Sequence, residues 1–202
     1  MMNMKTFKSV ACALSAFVLV AFLAMGCSRF DPPTASQPAS EPAIGLWTPN
    51  PGDQIIPGHD VPILKDGYWE SLGYAGTSVE GGSLPPPRTI RVGSEGGTVQ
   101  LGYHQLIVPP GAVDGFINIT MSYASSNAVA VDCSPSPFTF HLPVTLILSF
   151  RGTQYEDMSG TPPLQIVYMA ADGSVQPLST TVDPQHDTVT APTDHFSRYI
   201  IG

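Results

Sequence analysis

Cysteine is scarce in this chain, with 3 in 202 residues: Cys12, Cys27 and Cys133. Basic side chains are scarce too, with 8 Lys and Arg against 16 Asp and Glu, a formal net charge of −8. The first shortage removes a disulfide framework as the source of stability and leaves a packed core to supply it. The second excludes a polyanion partner, because counterion release needs clustered cations, whereas Arg29, Lys65, Arg88, Arg91, Arg151 and Arg198 are scattered. No nucleic-acid partner is expected. No Gly-rich phosphate loop follows a strand and opens a helix, so neither a nucleotide enzyme nor a cofactor is expected. No segment keeps a 3.6-residue apolar period, and no apolar run reaches the roughly 20 residues that cross a bilayer as a helix.

What is present begins at the N-terminus. Lys5 and Lys8 precede an uncharged apolar run from Val10 to Leu23, followed by Ala24-Met25-Gly26-Cys27. A run of this length matches the h-region of an export signal. Gly26-Cys27 at its end resembles the lipobox of bacterial lipoproteins, with Leu23 one place early and Ala24 and Met25 where that family prefers Leu and a small residue. The competing reading is an ordinary signal peptide with an incidental Cys. The resemblance implies that residues 1–26 are removed and that Cys27 takes a thioether-linked diacylglycerol and palmitate-type acyl chains. The protein would then be held on a membrane of the bacterial cell envelope, facing away from the cytoplasm. Ser28 lacks the inner-membrane retention signal of diderm lipoproteins, which favours the outer membrane where there is one. Cleavage would remove two basic residues and no acidic ones, taking the net charge from −8 to −10.

From Ser28 to Pro87 the chain holds eleven prolines and eight glycines. Residues 27–87 therefore read as the lipidated Cys and a disordered Pro-rich tether with a reach on the order of 40 Å. Val61-Pro62-Ile63-Leu64 and Tyr68-Trp69-Glu70-Ser71-Leu72 carry side chains that a linker does not need. They allow either a short hairpin docked on the domain or an exposed aromatic patch in which Trp47, Tyr68 and Trp69 stack on an envelope glycan.

From Arg88 onward, short β-branched and aromatic runs alternate with Gly, Pro, Asp and Ser, which is strand chemistry. Ile117, Ile119 and Met121 share one face and Asn118, Thr120 and Ser122 the other, the mark of a strand buried on one side. Asp172-Gly173 reads as a hairpin turn. Residues 88–202 are therefore expected to form an all-β antiparallel sandwich that folds without the tether.

Three segments of this region resemble the ZU-five family, the β-sandwich module of ankyrins, netrin receptors and tight-junction scaffolds. They are Glu95-Gly96-Gly97-Thr98-Val99 with Leu106-Ile107-Val108-Pro109-Pro110-Gly111-Ala112-Val113 and Ile117-Asn118-Ile119-Thr120; Phe138 to Leu146; and His195-Phe196-Ser197-Arg198-Tyr199. The resemblance implies a ZU-five-like interaction or scaffolding module, not an enzyme, with an envelope protein or glycan as partner. It carries fold but not ligand, since the family's basic partner surface has no counterpart in so acidic a chain. In the first segment Pro109 ends a strand and Gly111 permits a tight reversal with positive φ.

His195-Phe196-Ser197 is the one local constellation with a chemical use. In some family members this tripeptide cleaves itself, which here would make Ser197 the nucleophile on the Phe196 carbonyl and His195 its base. The alternative is that Phe196 plugs the sandwich while Tyr199 and Ile201 face the core of a closing strand. We expect the second, with the chain intact and no catalytic residue. Asp183, His186 and Asp187 could offer metal ligands, but a polar hairpin loop explains them and no metal is expected. His59, His104 and His141 show no ligand spacing and read as surface or strand-face residues. Cys133 has no basic activator beside it. Asn118-Ile119-Thr120 matches a glycosylation sequon that is more simply the polar face of a strand.

Overall fold

The computed structural model describes residues 48–50, 52–74, 84–170 and 173–202, all within the compact unit Ser40–Gly202. Cys27 and Trp47 lie outside them. In chain order the elements are β1 (Gln54–Ile56), β2 (His59–Asp60), α1 (Tyr68–Ser71), β3 (Arg88–Val92), β4 (Gly97–Leu101), β5 (His104–Val108) and β6 (Ile117–Tyr123). There follow β7 (Ala130–Ser134), β8 (Thr139–Ser149), β9 (Ile166–Met169), β10 (Val175–Pro177), β11 (Thr181–Asp183), β12 (Thr188–His195) and β13 (Arg198–Ile201). Two antiparallel sheets form, one in the order β10-β9-β13-β7-β6-β3 and the other β11-β12-β8-β5-β4. This is the all-β antiparallel sandwich read from the sequence.

Alternation builds the core between the sheets. In β6, Ile119, Met121 and Tyr123 are buried, and in β8 the buried row is Phe140, Val144, Leu146 and Leu148. Each such side chain contributes roughly 1.5–3 kcal/mol when fully buried. Two strands are longer than the sequence suggests. β8 runs through Pro143, which falls where the register slips between Thr193 and His195 and has no ladder partner, and β12 runs through Pro192, which pairs with Thr145 but lies past Thr190, the last β12 residue that β11 pairs. A missing N–H is tolerated there. Gly111 has φ +81, and its N–H donates to the Ser94 carbonyl at 2.8 Å, which holds the reversal after β5 against the β3–β4 turn.

Before Arg88 the structure takes the docked alternative over a longer stretch than the sequence suggests: residues 52–74 form a strap packed on the sandwich. β1 sets Ile55 and Ile56 against Ala124, Ala130, Val167 and Ile200. Ile63 and Leu64 bridge to Ala128 and Thr153. The single turn of α1 inserts Tyr68 and Trp69 into the main core, where Trp69 meets Tyr68 and Tyr123 edge-on at 4.9 and 4.7 Å. Its Nε1–H donates to the Ser126 carbonyl at 2.9 Å. The physical reason is visible in β13, all four residues of which are buried. Tyr199 and Ile201 face the inter-sheet core, so Ile200 faces outward and would meet water without the strap.

Candidate functional site

His195-Phe196-Ser197 sits where β12 passes into β13. Phe196 is buried, edge-on to Phe140 at 4.8 Å and tilted over Phe138 at 5.4 Å, so it fills one end of the sandwich. The Ser197 hydroxyl donates to the Met169 carbonyl at 2.7 Å, and the Ser197 carbonyl accepts from the Cys133 N–H at 3.0 Å. His195 turns Nδ1 to Asp194 Oδ1 at 2.9 Å, and this bond holds the Asp194 carboxyl below its usual range. The Tyr199 hydroxyl donates to the His195 carbonyl, and the Ser136 hydroxyl reaches the Phe196 carbonyl at 3.4 Å. An N-to-O acyl shift needs the serine oxygen aimed at the preceding carbonyl with a base on its proton. Here that proton is directed to Met169 and the imidazole to Asp194. The arrangement is that of a strand being closed.

The other candidate residues are not brought together. His186 Nδ1 lies 2.7 Å from Asp183 Oδ2, a bond that lowers the Asp183 pKa, whereas Asp187, at φ 54, faces Arg151 Nε at 3.7 Å. Burial, then the neighbouring Glu156, raise the Asp187 pKa. Among the described residues no group of three His, Cys, Asp or Glu is placed to hold a metal ion. His59 Nδ1 lies 2.8 Å from the Pro163 carbonyl, and His141 Nε2 lies 3.0 Å from Asp114 Oδ2. His104 is fully inside: burial pushes its pKa down to about 4, and Nδ1 accepts the Ser149 N–H at 3.1 Å, which places the ring proton on Nε2. Burial raises the Cys133 thiol pKa, and the adjacent Asp132 is gripped by Arg198 through two bonds of 2.7 and 2.8 Å. Asn118 is exposed on the outer row of β6.

The alternative of a glycan patch loses Tyr68 and Trp69, whose rings are buried and offer no face for stacking, while Trp47 lies outside the described residues. Sequence reading also missed a groove of 440 Å³ between β3 and β4, lined by Arg88 and Ile90 from β3, by Thr98, Gln100 and Leu101 from β4, and by Tyr74, Pro86 and Pro87. The hairpin Leu101-Gly102-Tyr103-His104 closes one end of the β4 wall. Gly102, at φ +56, fits there because a Cβ would collide with the Tyr123 hydroxyl. The sequence shows β3 and β4 only as consecutive strand-like runs. It could not show that each is the last strand of its sheet. No protein-family model and no curated protein matches the chain.

Proposed function

We propose that this chain is a lipid-anchored protein of the bacterial cell envelope that presents a ZU-five-like β-sandwich as an interaction module. The observation that carries the reading is the N-terminal sequence: Lys5 and Lys8, the Val10–Leu23 apolar run and Gly26-Cys27 at its end. The Pro-Pro-Gly-Ala reversal at 109–112 and the HFS segment at 195–197 support the family likeness. The hydrogen bonds around Ser197 and His195 favour an intact, non-catalytic domain over a self-cleaving one.

Intact mass spectrometry of the protein purified from its native membrane tests this. Lipidation adds a diacylglyceryl mass to a chain beginning at Cys27, whereas cleavage after Phe196 would instead remove the six residues Ser197 to Gly202. Each buried CH₂ contributes about 0.8 kcal/mol, so two or more acyl chains should hold the protein firmly in the membrane fraction. Cys27→Ser should release it or leave its signal uncleaved. Wild-type protein recovered wholly in the soluble fraction would end the proposal.

A further inference from the structure

Among the described residues each side of the sandwich ends in two strands that are paired on one side only. On one side these are β10 and β11, three residues each; on the other they are β3 and β4, five residues each. An open edge offers unpaired N–H and C=O groups to any extended chain, and proteins blunt such edges with charge, proline or a bulge. β4, Gly97-Thr98-Val99-Gln100-Leu101, has none of these. Its two-residue hairpin makes Leu101 and His104 a hydrogen-bonded pair, so Val99 and Gly97 also bond inward to β5. Thr98 and Gln100 therefore turn their N–H and C=O groups to the open side, and both line the groove.

The opposite wall supplies a charge. Arg88 lies on the core-facing row of β3 with Ile90 and Val92, whereas on the outer row Thr89 bonds Thr120 at 2.7 Å and Arg91 covers the Phe116 ring at 4.0 Å. Among the described cations, Lys65 pairs with Asp157 and Glu156, Arg151 with Asp187, Arg198 with Asp132, and Arg91 with a ring. Among the described residues Arg88 meets neither a carboxylate nor a ring.

We infer that this groove binds an extended peptide strand bearing one carboxylate, added to the free edge of β4. The peptide backbone pairs with Thr98 and Gln100, an apolar side chain lies over Ile90 and Leu101, and the carboxylate meets the Arg88 guanidinium. Main-chain pairing supplies affinity and the side-chain contacts supply selectivity. A single carboxylate among uncharged residues suits the site better than an acidic run, because the net charge of −8 repels the latter. The inference rests on the reading of the sandwich as a binding module but not on lipidation, so the mass spectrum described above stands or falls separately.

The test uses the detergent-solubilised full chain and two fluorescein-labelled heptapeptides, Thr-Val-Thr-Asp-Val-Thr-Val and its counterpart with Asn for Asp, read by fluorescence anisotropy. The Asp peptide should bind about tenfold more tightly, the effect of one charge-assisted pair. Arg88→Gln should equalise the two peptides. Thr98→Pro removes an outward N–H without touching the β4–β5 ladder, and it should weaken both peptides about tenfold at unchanged melting temperature. Gln100→Pro takes its place if Thr98→Pro proves unstable. Equal affinity for the two peptides, no binding of either at millimolar concentration, or an Asp preference that survives Arg88→Gln would overturn the inference. So would a dimer that Thr98→Pro dissociates, since a second copy would then cover the edge.

Discussion

Trp69→Ala should cost this domain a large part of its stability, although the residue lies in a stretch whose composition is that of a linker. The ring is 4% exposed, meets Tyr68 and Tyr123 edge-on, and donates to the buried Ser126 carbonyl at 2.9 Å. Truncating a buried Trp removes transfer energy and leaves a cavity, together about 3–5 kcal/mol. Native stabilities run to only about 5–15 kcal/mol, so this one side chain reaches about a fifth of the total or more. At about 2–4 °C per kcal/mol for a domain of this size, a loss near 4 kcal/mol lowers the melting temperature by about 8–16 °C. Trp69→Phe keeps most of the packing and loses the hydrogen bond, so it should cost about 1 kcal/mol or somewhat more. Phe116→Ala, at a side chain 64% exposed, should stay within about 0.5 kcal/mol and serves as the control. Thermal unfolding followed by circular dichroism reads all three. A Trp69→Ala protein that melts within about 2 °C of wild type, in the range of a surface substitution, would refute the placement of the strap in the core.

Gly111→Val should cost about 1–3 kcal/mol through backbone strain, since φ is +81 while the nearest atom to a new Cβ is Leu142 Cδ1 at 3.7 Å; Gly111→Ala, read by the same melts, should cost less. His104 has a folded pKa of about 4 against an ordinary 6.5, so the unfolded chain binds the extra proton between those values and stability falls as pH drops through that window. Urea titrations from pH 7 to 4 should show wild type losing about 3 kcal/mol more than His104→Gln. Ser197→Ala should leave the migration of the purified protein unchanged and cost about 1 kcal/mol for the bond to Met169; a fragment beginning at Ser197 in wild type, and absent from the variant, would contradict this.

The strands after Arg88 are legible because each is a local pattern. Ile119 and Met121 alternate with Thr120 and Ser122 in the sequence as they do between core and outer face. Pro143 and Pro192 mislead because a missing N–H matters only where a partner strand needs it: Pro143 lies in the bulge opposite Thr193 to His195 and Pro192 lies past the end of the β11 pairing, and no local window shows either placement. Tyr68 and Trp69 are visible as anomalies in a Pro-rich stretch. The acceptor of Trp69 at Ser126 and its packing beside Tyr123 come from the distant end of β6 and the connection after it, which no local window contains. Arg88 fails to stand out for the same reason, since its place on an open edge depends on the order of strands in both sheets.

The strap also sets where the chain enters the sandwich and which side chains meet a load first. If Cys27 carries the anchor, only the 20 residues from Ser28 to Trp47 precede Thr48, and a fully extended chain of that length spans at most about 70 Å, a third of what 60 residues would allow. The Asn127 side chain reaches the Pro49 carbonyl at 2.7 Å, so the chain enters beside the β6–β7 connection. The opposite end, carrying the Gly93–Gly96 turn, the exposed Phe116 and Leu142 and the HFS segment, is the one held away from that entry point. A pull on the N-terminal side reaches β1, Val61 and the Trp69 anchor before it reaches either sheet. The strap therefore bears such a load first, through side chains that belong to the core of the sandwich.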